Sequence, residues 1–211
     1  MMKIELSKIN LIGISLLVAI FEAFGWLFLH IFQSVNNLFL GILVGLPTTI
    51  ISLFIYNRLF SNNIKIKFNI GNKIQTINKI NIIYFTIINI IFLSLLFFIF
   101  SILQTITENY FLQGFIGTFL VVFLLVIIYN ILNKNRFFIK KINPSISLFF
   151  GLTEALILTI QFNLLSASFL NNIYLEYFVY GFISGFVSTL IVILMYNSIL
   201  NKIIKITFEV R

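Results

Sequence analysis

The chain reads as an all-α polytopic membrane protein: six transmembrane helices in three parallel helical-hairpin repeats, with short strand-like cytoplasmic segments. Three observations carry that reading. The 211 residues are 60% hydrophobic and only 9% charged, against roughly a quarter charged in soluble domains. Six apolar runs are each long enough to span a bilayer. A Gly…Tyr-Asn pattern recurs at one spacing, as Gly41…Tyr56-Asn57, Gly114…Tyr129-Asn130 and Gly181…Tyr196-Asn197. The chain is read as one integral membrane domain over 1–211, with repeat units near 8–70, 79–140 and 141–210.

Taken in order, the runs lie near 10–32, 38–59, 80–104, 111–132, 144–165 and 177–200. At 1.5 Å per residue each covers about 30 Å of hydrocarbon. They are continuously apolar rather than alternating, so helices are the spanning form. The first follows MMKIELSK and is too long for a cleaved signal, so it reads as a retained span. In the second, Pro47 removes a ladder bond that Thr48 and Thr49 can replace, which predicts a kink.

Orientation follows from the basic residues. Lys3 and Lys8 precede the first run. Arg58, Lys65, Lys67, Lys73 and Lys79 lie between the second and third, and Lys134, Arg136, Lys140 and Lys141 between the fourth and fifth. Lys202, Lys205 and Arg211 follow the sixth. These are all 14 Lys and Arg residues, and all fall on one side, which places both termini in the cytoplasm. The opposite loops carry Asn36, Asn37, Glu108, Asn109, Asn171, Asn172 and Glu176.

Each unit opens on Lys-Ile-Asn, at 8–10, 79–81 and 141–143, crosses outward and returns through the Gly…Tyr-Asn helix. The tails at 64–70 and 204–210 alternate with period two and read as short strands, possible partners for each other. The middle unit offers only the weaker match at 137–141. Like-oriented hairpins imply repeats related by an axis along the membrane normal.

Several chemistries lack their parts. There is no Cys and a single His, and no Asp, which removes disulfides, thiol nucleophiles and most metal and hydrolytic sites. No metal or cofactor is expected, and no enzyme: an intramembrane hydrolase would need Glu22, Glu154 and His30 to converge on an activated water. The net charge of +8 is explained by topology. No stacking surface accompanies it, so nucleic acid is not an expected partner.

What remains is a pair of carboxylates. Ile14-Ser15-Leu16 matches Ile146-Ser147-Leu148, and Glu22-Ala23 matches Glu154-Ala155, while the middle unit has Leu93-Ser94 there. Both Glu residues fall about 15–18 Å along their runs, near the bilayer centre. A carboxylate at that depth costs on the order of 3 kcal/mol and should face protein or water. At helical spacing Glu22 shares a face with Ser15, Ala19, Trp26 and His30; Glu154 shares one with Ser147, Gly151, Leu158 and Gln161. Two carboxylates facing each other across low dielectric do not readily both ionise, so a facing pair would hold one proton and exchange it for a cation. Trp26 could supply a cation–π wall or serve as packing or an interfacial anchor. His30 lies two turns from Glu22, too far for direct contact. Gly41, Gly45, Gly114, Gly181 and Gly185 suit close helix packing, and the Tyr-Asn pairs suit an aromatic belt and helix caps.

Two functional readings follow. One is a small multi-pass transport protein, or the substrate-binding membrane subunit of one. Glu22 and Glu154 would bind an ion, proton or cationic solute, with His30, Trp26 and Gln161 as further candidates. The other is a non-catalytic scaffold or accessory subunit in which the carboxyls are interhelical glue. The partners implied are the lipid bilayer and either other membrane subunits or a cytoplasmic partner at the basic inner loops.

Overall fold

The computed structural model describes residues 2–9, 11–60, 66–70, 73–77, 82–132, 139–167, 170–200 and 207–210. Strand β1 (Met2–Ile9) leads into helix α1 (Leu11–Ile31), which turns into α2 (Asn37–Ile55). Strands β2 (Ile66–Ile70) and β3 (Lys73–Ile77) precede α3 (Ile82–Leu103) and α4 (Tyr110–Leu132). Strand β4 (Ile139–Ile142) precedes α5 (Ile146–Ala167) and α6 (Ile173–Met195), and β5 (Thr207–Val210) follows. Helices dominate, and six of them are long and apolar enough to cross a membrane. Phe39, Phe54, Ile83, Ile87 and Ile131 stand exposed on their outer surface, which fits a multi-pass protein in a bilayer.

Each helix packs on its chain neighbours and α1 packs on α6, so the six form a closed ring. The closest joints are α1–α6, α2–α3 and α4–α5, which link one hairpin to the next rather than the two arms of one hairpin. Glycine makes these joints close. A β-carbon built at Gly181 would sit 2.6 Å from the Glu22 carbonyl oxygen and 3.1 Å from the Ala23 α-carbon. One at Gly114 would sit 2.8 Å from the Ala155 α-carbon, and one at Gly41 would collide with the backbone of Ser94. The partners Ala23, Ser94 and Ala155 are the three residues that align in sequence. Gly45 abuts Ile90 and Leu93, and Gly185 abuts Ala19 and Glu22. All five glycines therefore lie inside the ring's own joints.

At the opposite end from the hairpin turns, the strands form one antiparallel sheet in the order β3-β2-β1-β5-β4. Ile4 pairs with Phe208 and Leu6 with Ile70, so β1 separates β2 from β5. The two alternating tails are not partners of each other. The N-terminal strand lies between them and joins the two ends of the chain beneath the α1–α6 joint. Residues 64, 65 and 204–206 of those tails lie outside the described residues.

One boundary differs from the sequence reading. Helix α6 begins at Ile173, not near 177: Asn172 caps it by accepting from the backbone N–H groups of Tyr174 and Leu175. Glu176 is therefore not a loop residue. It is buried in the first turn, where the helix dipole favours an acid, and accepts from Tyr180 Oη and the Leu170 N–H. Helix α2 runs through Pro47 without a break; Thr49 Oγ1 donates to the Gly45 carbonyl and accepts from Asn89 Nδ2 of α3. After α2 and α6 the chain winds one π-helical turn, at Tyr56–Phe60 and Tyr196–Leu200. Asn130 is no cap for its own helix: its side-chain amide exchanges two 2.8 Å hydrogen bonds with the backbone of Ile142, tying α4 to β4.

Candidate functional site

Glu22 lies at mid-length of α1 and Glu154 near the middle of α5, both half-buried. Helix α6 stands between α1 and α5 and packs on both. Its small residues set the distances. A β-carbon at Gly185 would sit 2.7 Å from Glu22 Cγ and 3.1 Å from the Ala19 α-carbon, so the aliphatic part of Glu22 lies directly against bare backbone. The Glu22 and Glu154 carboxyls come within electrostatic reach of one another. The two carboxylates that the sequence aligns thus stand on the two helices that flank α6.

On the hairpin side of this pair the site is walled by aromatic rings. The Trp26 indole N–H donates to the Glu22 carboxyl, so Trp26, buried at 8% exposure, is not an interfacial anchor. Its ring meets Phe162 edge-on at 5.7 Å and lies near-parallel to Tyr177 at 6.4 Å. Tyr177 stacks at 4.4 Å on His30, which also meets Tyr174. His30 thus belongs to this aromatic wall and makes no contact with the carboxyls. Phe162 stacks at 4.0 Å on Tyr110. Beyond it a cleft of about 510 Å³, lined by Gln104, Thr107, Glu108, Tyr110, Gln113 and Phe162, opens at the hairpin end.

Gln161 is fully buried on α5 and accepts from Ser184 Oγ at 2.9 Å, but its amide Nε2 has no partner. Toward the sheet end from Glu22, the buried hydroxyls of Ser15, Ser188 and Thr189 are also unpartnered, as are Thr48 and Thr118 on α2 and α4. An unmade bond of this kind costs about 1–3 kcal/mol. Of α6 the sequence reading singles out Gly181 and Gly185 but not Ser184, Ser188 and Thr189. The 3/4-spaced series Gly181, Ser184, Gly185, Ser188 and Thr189 was the available signal.

Among the described residues, no three His, Asp or Glu side chains converge as metal ligands. Acceptor oxygens from two carboxyls and several hydroxyls suit a proton or a hard cation instead. Compared with known protein families, with curated proteins and with solved structures, the chain matches none.

Proposed function

We propose that this chain is a small multi-pass membrane transport protein, or the substrate-binding membrane subunit of one, with Glu22 and Glu154 as a shared proton and cation site. The three hairpins are read as one repeated unit around an axis along the membrane normal, and the sheet end, which carries the described Lys and Arg residues, as cytoplasmic.

The observation that carries this reading is the third joint. Gly41 and Gly45 seat α2 on α3 as Gly181 and Gly185 seat α6 on α1, yet Leu93 occupies the position of Glu22. Close packing at that position does not require a carboxyl. Retaining two carboxyls at a cost on the order of 3 kcal/mol each is better explained by work done by the carboxyls themselves. The aromatic wall on one side and the hydroxyls on the other suit a site approached from one end at a time.

The test is reconstitution of the purified chain into liposomes loaded with a pH-sensitive dye. Imposed Na⁺ or K⁺ gradients should drive a change in internal pH, and the double variant Glu22→Gln, Glu154→Gln should abolish it without loss of folded protein. Equal flux from the double variant would overturn the reading.

One observation favours the scaffold alternative: Glu22 is already bonded by Trp26 and packed on Gly185, as interhelical glue would be. Under that reading the Gln variants are tolerated, no flux is seen, and the chain is recovered only together with other membrane subunits.

A further inference from the structure

The hydroxyls on the sheet side of Glu22 support a more specific assignment. Along the α1–α6 joint, Gly181 faces Ala23 and Gly185 faces Ala19 at matched 3.1 Å approaches. Extending that four-residue step by one turn along both helices sets Thr189 level with Ser15, and Ser188 precedes Thr189 in the chain. Ser15 and Ser188 are 0% exposed and Thr189 is 1% exposed, and none of their oxygens has a hydrogen-bond partner. Serine or threonine hydroxyls inside an apolar helix commonly bond back to the carbonyl four residues earlier. Thr49 and Thr159 do so here, at 2.6 Å and 2.7 Å. Ser15, Ser188 and Thr189 do not, so their oxygens are left to coordinate something else.

We propose that Ser15, Ser188 and Thr189, with the carboxylate of Glu22, whose Cγ packs on Gly185 one turn from Thr189, form a binding site for a small hard monovalent cation of sodium size. The inference rests on the transport reading for its purpose but not for its existence. All four groups offer oxygen, the ligand type such a cation prefers, and no Lys, Arg or His shares their faces at 3/4 spacing on α1 or α6 except His30, which is held in the aromatic wall. One ionised carboxyl balances one cation. Glu154, on α5 across α6, is the second carboxyl; the one proton that the pair holds leaves when the cation binds at Glu22, so one cation is exchanged for one proton.

Trp26 is the single tryptophan of the chain, so the site carries its own reporter. The experiment titrates the detergent-purified full chain with NaCl while choline chloride holds ionic strength constant, reading Trp26 emission and the melting temperature. A saturable emission change and a rise in melting temperature with Na⁺, weaker or absent with K⁺, are expected. Ser188→Ala and Thr189→Val should each weaken apparent Na⁺ affinity at least tenfold, whereas Thr189→Ser, which keeps the hydroxyl, should retain it within about threefold.

No Na⁺ response in the wild-type chain overturns the proposal, as does a response unchanged in Ser188→Ala and Thr189→Val. An equal response to K⁺ and Na⁺ overturns the size assignment. If the hydroxyl variants behave as wild type while Glu22→Gln, Glu154→Gln still abolishes flux, the sodium site falls and the transport reading stands. If Na⁺ binding is lost with the hydroxyls but no flux is ever seen, the site stands and transport falls.

Discussion

The α6–α1 joint and the α2–α3 joint are built to one plan and filled differently. In both, two glycines one turn apart lie against the outgoing helix of the neighbouring hairpin. At α2–α3 the neighbours are Ile90, Leu93 and Ser94, and among the described residues Asn89 bridges to Thr49. At α6–α1 the neighbours are Ala19, Glu22 and Ala23, with Trp26 bonded to the carboxyl and unpartnered hydroxyls beyond it. The first joint shows what the ring needs in order to close: small residues and apolar contact. Whatever the second joint has in addition is not needed for closure.

The largest effect should come from destroying the shared plan. Gly181→Val places a branched side chain against the Glu22 carbonyl, 2.6 Å from its β-carbon. Overpacking against backbone should cost on the order of 3 kcal/mol and remove the monodisperse peak in size-exclusion chromatography. Gly45→Ala meets only 3.2 Å and 3.4 Å contacts and should survive.

Next is conversion of one joint into the other. Glu22→Leu with Glu154→Leu makes both sites resemble Leu93, so the chain should fold with an equal or higher melting temperature, since about 3 kcal/mol per buried carboxyl is relieved. All cation-driven pH change should vanish. Loss of folding in this variant would return the carboxyls to the role of glue.

The reverse conversion, Leu93→Glu, should lower stability by about 3 kcal/mol. Phe97 stands where Trp26 follows Glu22 and offers no donor, so the new carboxyl meets no prepared partner; thermal unfolding measures the loss. Smallest of all, Asn89→Leu removes one interhelical hydrogen bond and should cost about 0.6 kcal/mol, visible only as a shift of about one to two degrees in melting temperature.

How much of this was legible beforehand differs by element. The spans were readable because apolar length is a local property, and only the start of α6 was misplaced, where Asn172 outweighs hydropathy in setting the helix start. The carboxyl pair was found because Glu22-Ala23 and Glu154-Ala155 repeat in sequence. The hydroxyls of α6 were not, because Ser188 and Thr189 resemble ordinary small packing residues until their bonds are counted. The strand β1 was absorbed into the approach to the first span, although Lys3-Ile4-Glu5-Leu6-Ser7-Lys8-Ile9 alternates as clearly as the tails do.

Six helices long and apolar enough to cross a membrane, their glycine stripes and the mid-helix placement of two carboxylates are legible in the sequence, because composition and 3.6-residue spacing act within a single helix. Tertiary structure alone decided that the closest joints lie between hairpins and that β1 separates β2 from β5. It also decided that Glu22 rests on Gly185 under the Trp26 indole, with three unpartnered hydroxyls beside it. The physical reason is distance along the chain: Gly185 reaches Glu22 only when the first and last helices meet. That contact depends on how the whole ring closes, and no local pattern encodes it.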